Sequence, residues 1–139
     1  MQTTRDPQRD ARKPTTSHDQ LVGRLGEDLA DAHLRRLGWQ IVERNWRCGD
    51  GEIDIVAREP LPDGRSALVF VEVKYRSSAS HGDPLEAITP AKVRRLSGLS
   101  LLWLRHHAER AEEIRVDAIG VLRRPGQPHT ITHVRGITR

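Results

Sequence analysis

The chain has 139 residues, 36% hydrophobic and 30% charged, which supports one domain with a packed core and leaves little for a second. It has no apolar stretch long enough for a membrane span and no apolar leader, and its one cysteine, Cys48, excludes an internal disulfide framework, so the expectation is a cytoplasmic protein with no membrane partner. A net charge of +4 is compatible with a polyanionic partner, while three Trp, one Tyr and one Phe are too few for a single-strand binder built on aromatic stacking.

Residues 1–18, MQTTRDPQRDARKPTTSH, are almost devoid of apolar side chains and predict a disordered extension, with residues 19–139 forming the single domain. From Asp19 to Leu37 the spacing of Leu21, Leu25, Leu29 and Ala32 predicts an amphipathic helix, closed by Gly38. WQIVERNWR (39–47) predicts a strand and Cys48 to Gly51 a turn. GEIDIVAR and ALVFVEVKYR predict two more strands, joined by a loop with Pro60, Pro62, Asp63 and Gly64. After a polar loop, Thr89 as N-cap and Pro90 in the first turn predict a second helix that runs to about His107. IRVDAIGVL (114–122) and TITHV predict the last strands. The order is α-β-β-β-α-β-β: an α/β fold with a mixed sheet flanked by helices and a β-helix-β crossover after the third strand.

VFVEVKYR (69–76) has strong strand character, yet Glu72 and Lys74 sit in its middle on one side of the strand. If the hairpin folds back symmetrically about Asp63, Asp54 faces Glu72, Glu52 faces Lys74 and Val56 faces Phe70, with Ile53, Ile55, Val71 and Val73 on the other, apolar side. Two carboxylates about 5 Å apart at an effective dielectric of about 20 repel by roughly 3 kcal/mol, and one lysine offsets only part of that. The residues leave two readings open: an exposed ion-pair network, or a site for a hard divalent cation, Mg²⁺ or Mn²⁺ rather than zinc, since the donors are all oxygen.

The ordered blocks GRLGEDLADAHLRRLGWQIVERNWR, GEIDIVA, VFVEVKYR, HGDPLEAITPAKVRRL and RVDAIGV resemble the bacterial YraN-like family, which is described as Holliday-junction-resolvase-like. The Asp of GEIDIVA followed by the Glu-x-Lys triplet resembles the PD-(D/E)xK nuclease superfamily, with Ile53 standing where the superfamily's name has a proline. The resemblance covers about residues 20–122. It implies a restriction-endonuclease-like sheet and hydrolysis of phosphodiester bonds in DNA, branched or junction DNA included, by a homodimer. It also implies Asp54 and Glu72 as metal ligands with the Val73 carbonyl as a third, Lys74 beside the attacking water, and Glu27 as the acid supplied by the first helix. The alternative is a non-catalytic nucleic-acid or protein interaction module that retains the fold.

The residues beside these have two readings each. Glu27 borders the first helix's apolar arc, where Gly23 and Gly26 permit close approach to the sheet; it is either a site residue or a solvated edge. Lys92 shares the sector of Leu96, Leu99 and Trp103 and either contacts a phosphate or snorkels to solvent. Arg76 is a phosphate contact or a polar strand end, and Arg94 and Arg105 are solvated or form a phosphate-tracking stripe. His106, His107, His129 and His133 read as surface or helix-end residues. Trp39, Trp46 and Trp103 read as core or interface anchors, and the Trp and Leu residues of the second helix as dimer contacts. Asp117 either pairs with Arg115 or supports the site.

Overall fold

In the structure, a computed structural model, residues 18–49, 51–77 and 83–137 are described; the extension expected over 1–18 lies outside them, save His18, where the first helix begins. The elements are α1 (His18–Arg36), β1 (Gln40–Cys48), β2 (Gly51–Pro60), β3 (Ser66–Arg76), α2 (Pro90–His106), β4 (Glu113–Leu122) and β5 (Thr130–Val134), with short 3₁₀ turns at Pro62–Gly64 and Pro84–Ala87. None of the described helices is long and apolar enough to cross a membrane.

The five strands form one sheet in the order β1-β2-β3-β4-β5. β2 and β3 are antiparallel with Val56 opposite Phe70 and Ala57 opposite Val69, the register that the loop about Asp63 predicts. β3 and β4 are parallel because α2 carries the chain across the sheet between them. The start of α2 and the end of α1 fall where local chemistry says they should. Thr89 Oγ1 accepts from the Lys92 amide at 3.2 Å and Pro90 fills the first turn. Gly38, at φ 89°, ends the turn after α1 in the left-handed region that glycine alone enters at little cost.

The central strands are buried on both faces because each face carries a helix. Ala30 and Leu34 of α1 pack with Ile55, Ala57, Val69, Val71 and Ile119. Leu96, Leu99 and Trp103 of α2 pack with Val56, Leu68, Phe70 and Val116. Phe70 and Trp103 meet edge to face at 5.5 Å, a contact worth about 0.5–1.5 kcal/mol beyond the area it buries. This occupies Trp103, Leu96 and Leu99 in the core and removes them from any dimer surface; Leu101, 65% exposed, is the outward-facing leucine of the helix.

Three expectations from local pattern need correction. The buried arc of α1 runs through Gly26, Ala30 and Leu34, leaving Leu21 54% and Leu25 37% exposed, because the sheet lies under the second half of the helix and not under its start. Ile53 joins the α2 cluster instead of continuing the Ile55 face, since the β2–β3 ladder ends at Ile55–Val71 and β2 is free to turn beyond it. Of the histidines, His107 is the helix-end residue expected, capping α2, whereas His133 is not a surface residue. His107 stacks on Trp103 at 4.0 Å with its Nε2 3.1 Å from Glu43, and His133 is held against Asp117 at 2.9 Å.

Asp117 is fully buried and resolves to a structural hub. It accepts Arg115 through Nε at 2.8 Å and Nη2 at 3.1 Å, His133 Nε2 at 2.9 Å, and the Gly136 amide at 3.0 Å. Arg115 also reaches Glu59 at 2.7 Å, Arg135 pairs with the same glutamate, and both guanidinium groups lie over Trp39 at 5.6 Å. One ionic network thus ties β2, β4, β5 and the C-terminal segment together at the end of β2 remote from Glu52.

Candidate metal centre

The site arises where the β2–β3 ladder stops. Past Ile55–Val71, the Val73 amide donates to Asp54 Oδ2 at 2.8 Å, so a side-chain carboxylate takes the place of a strand carbonyl and the two strands part. Two close approaches bring the helices to this notch. A Cβ on Gly26 would lie 3.0 Å from Tyr75 Cβ, so the strand or helix would have to give way, and one on Gly51 would lie 2.7 Å from a Leu99 methyl, which would have to move aside. Gly26 delivers its neighbour Glu27 to the strand ends. Gly23, by contrast, faces open space and plays no part in that approach.

Glu27 from α1 and Glu52 and Asp54 from β2 each offer a carboxylate oxygen, all within 4.8 Å of one another. Glu72 adjoins Asp54 from β3 and holds Lys74 at 3.8 Å through Oε2. The four residues singled out as catalytic, Glu27, Asp54, Glu72 and Lys74, therefore share one place. The tightest acid group, however, is Asp54 with Glu27 and Glu52, and Glu72 stands beside it with its lysine.

Burial, followed by the neighbouring Glu72, pushes the Asp54 carboxyl up to about 8. Burial also raises Glu72 above the ordinary carboxylate range, outweighing Lys74 and Lys92, and raises Glu27 despite hydrogen bonds from Asn45 and Arg44. Burial first, and like charge from neighbouring carboxylates after it, raise all three at one point. The donor set is all oxygen, drawn from several elements, and fits a hard divalent cation such as Mg²⁺ or Mn²⁺.

Cationic groups ring the acids. Lys92 points into a cavity of about 210 Å³ that also meets Glu52, Asp54, Glu72 and Arg95. Its hydrogen bond with Lys74, and after that its burial, lower its pKa from the usual lysine value. Arg76 lies two residues beyond Lys74 on the same side of β3 and forms no ion pair among the described residues. Arg94 and Arg105 are exposed, and Arg94 borders an apolar groove next to Val93 and Val134 instead of the acids.

Two residues that pattern reasoning passed over position Glu27. Arg44 lies 3.6 Å from Glu27, 2.8 Å from Asp28 and 3.3 Å from Asp31, holding three acids of α1 against β1. Asn45 hydrogen-bonds Glu27 from a backbone at φ 56°, between the Arg44–Ile55 and Trp46–Ile53 pairs and so level with Asp54. The available signal was an asparagine inside a strand, where it is depleted unless the chain needs the left-handed region. Asn45→Gly relieves the backbone and removes the amide. It is expected to keep or raise stability while increasing the Mg²⁺ concentration for half-maximal thermal stabilisation by about 10-fold, the low end of the loss seen when a ligand's supporting hydrogen bond is removed. An unchanged Mg²⁺ midpoint in a thermal-shift titration would remove Asn45 from the site.

Comparison with known sequences adds a family and no chemistry. The profile of the "Uncharacterised protein family UPF0102" matches residues 26–121. A UPF0102 protein of Renibacterium salmoninarum is 49% identical over 84% of this chain and 94% of its own length. UPF0102 proteins of Mycobacterium sp. (strain KMS) and Beutenbergia cavernae are 48% and 47% identical, over 88% and 84% of this chain and 89% and 94% of theirs.

Proposed function

The chain belongs to the uncharacterised protein family UPF0102, and on the chemistry of its site we propose that it is a metal-dependent nuclease of the PD-(D/E)xK type, hydrolysing phosphodiester bonds in DNA, branched or junction DNA included. One observation carries the reading: Asp54, pushed up to about 8, has no ion-pair partner among the described residues although it is packed among Glu27, Glu52 and Glu72. The same chain contains the contrasting case. Asp117, which exposes no surface to solvent, is met by Arg115 and His133 and its pKa is lowered, which is what a structural ion network does to a carboxylate. Asp54 lacks that compensation, so the ion-pair reading does not account for it.

Glu27, Glu52 and Asp54 would hold the cation, with Glu72 flanking it. Bound there, Mg²⁺ or Mn²⁺ supplies Lewis-acid stabilisation of the charge that develops on the phosphoryl oxygens. Lys74 adds an ammonium beside the reacting phosphate, oriented by the Glu72 carboxylate at 3.8 Å. Lys92 draws the phosphate into the cavity above the acids, and Arg76 takes backbone phosphate farther along β3. Cutting two symmetric strands of a junction takes two such sites, so a homodimer belongs to this reading.

The test is cleavage of linear, flap and four-way-junction DNA in Mg²⁺ or Mn²⁺. Lys74→Ala is expected to lower the rate by about 10²–10³-fold with DNA affinity nearly kept. If no substrate is cut with either metal while DNA or a protein is still bound, the chain is an interaction module on a nuclease-like fold.

A further inference from the structure

The acids form a wall between two openings. The cavity with Lys92 and Arg95 lies on the α2 side, and a second one, of about 400 Å³, lies on the α1 side, where Glu27 and Glu52 meet Arg24, Asn45 and Arg47. Glu52 borders both. Each opening therefore pairs the shared acid cluster with two cationic side chains, both from α2 on one side and one each from α1 and β1 on the other.

We infer that the α1-side cavity is a subsite for the phosphate flanking the one that is cut, with Arg24 and Arg47 as its anion contacts. The inference rests on the nuclease reading and specifies how the strand lies: across the acids, from the α2 opening to the α1 opening. Arg24 is exposed and forms no ion pair among the described residues. Arg47 has a single long contact there, 3.8 Å to Glu52, and is otherwise open to solvent. Such a contact holds the guanidinium weakly and leaves it available to a phosphate.

Gly23 supplies an independent observation. It lines this cavity, sits inside α1, and beyond its chain neighbours and the helix's own backbone no atom lies within 4 Å of where its Cβ would be. Packing does not require a glycine at this position, and glycine weakens a helix interior relative to alanine. A bare helix surface does have a use if a sugar–phosphate backbone passes over it, and the cavity it borders is large enough for a nucleotide-sized group.

The experiment measures affinity for a fluorescein-labelled four-way junction by anisotropy in Ca²⁺ as a function of salt. It compares the full chain with Arg24→Ala/Arg47→Ala, Gly23→Leu, and an Arg65→Ala/Arg110→Ala control that removes the same charge at the far end of the β2–β3 hairpin. The first variant is expected to bind at least about 10-fold more weakly, with the log–log salt slope reduced by about 2, while the control binds within about 2-fold of wild type. Gly23→Leu is expected to melt no lower than wild type and yet lose affinity, since it fills the cavity without touching the core. Loss in the control equal to that in Arg24→Ala/Arg47→Ala, or wild-type affinity in both cavity variants, overturns the subsite. Cleavage by wild type in Mg²⁺ tests the nuclease reading separately, so either can fail without the other.

Discussion

Asp54→Asn is expected to make the metal-free protein more stable and to abolish cleavage. The sign follows from the raised carboxyl. Asp54 moves from 3.8 to about 8 on folding, through burial first and Glu72 second. Between those values the folded chain binds more protons than the unfolded one, so stability falls as pH rises through that window. Some four units at about 1.4 kcal/mol each set a ceiling of roughly 6 kcal/mol, lost in full once pH passes about 8 in the absence of a cation. Asparagine keeps the shape and an oxygen for the Val73 amide and carries no charge.

The gain should therefore be small at pH 5 and large at pH 8. A cation at about 100 times its dissociation constant would return roughly 2.7 kcal/mol to wild type, a rise of about 10 °C, and nothing comparable to the variant. Differential scanning fluorimetry across pH, with and without Mg²⁺, gives both numbers. An Asn variant that is less stable at every pH, or that still responds to Mg²⁺, would mean that Asp54 is a paired structural carboxylate.

Asp117→Ala should have the opposite character: a loss of about 3–5 kcal/mol in unfolding free energy, measured by urea denaturation at pH 7, with the Mg²⁺ midpoint unmoved. Burial alone would raise this carboxyl, but hydrogen bonds from His133, Arg115 and the Gly136 amide outweigh it and hold the pKa below the usual value. The contribution is accordingly complete above the unfolded pKa of 3.8 and disappears as pH falls through the lower folded value. Truncation leaves Arg115 with Glu59 alone and strands His133 between Trp39 and His33. A loss under about 1 kcal/mol would contradict the hub, because that is the scale of an exposed pair. A shift in Mg²⁺ response would instead attach Asp117 to the metal centre.

The family resemblance and the fold were legible along the chain because their signals are local. A cap such as Thr89-Pro90, the alternation of VFVEVKYR and a loop that turns about Asp63 each act between residues close in sequence. They fix the start of α2, the faces of β2 and β3 as far as Ile55 and Val71, and the Val56–Phe70 register, and with them the neighbourhood of Asp54, Glu72 and Lys74. Pattern fails where partners are chosen across long separations. Leu21 and Leu25 satisfy helical periodicity yet project past the sheet, and His133 looks like a surface residue until β5 docks beside β4 and sets it against Asp117.

The sequence by itself determined the order and polarity of the elements, and that acids and a lysine gather where β2 and β3 run together. Tertiary structure alone decided which acids meet: Glu27 reaches Asp54 because Gly26 seats α1 against Tyr75, and Glu52 turns in because the ladder opens beyond Ile55. The physical reason is range. Hydrogen-bonded periodicity and capping are set within a few residues, whereas the charge that a carboxylate feels depends on every element packed around it.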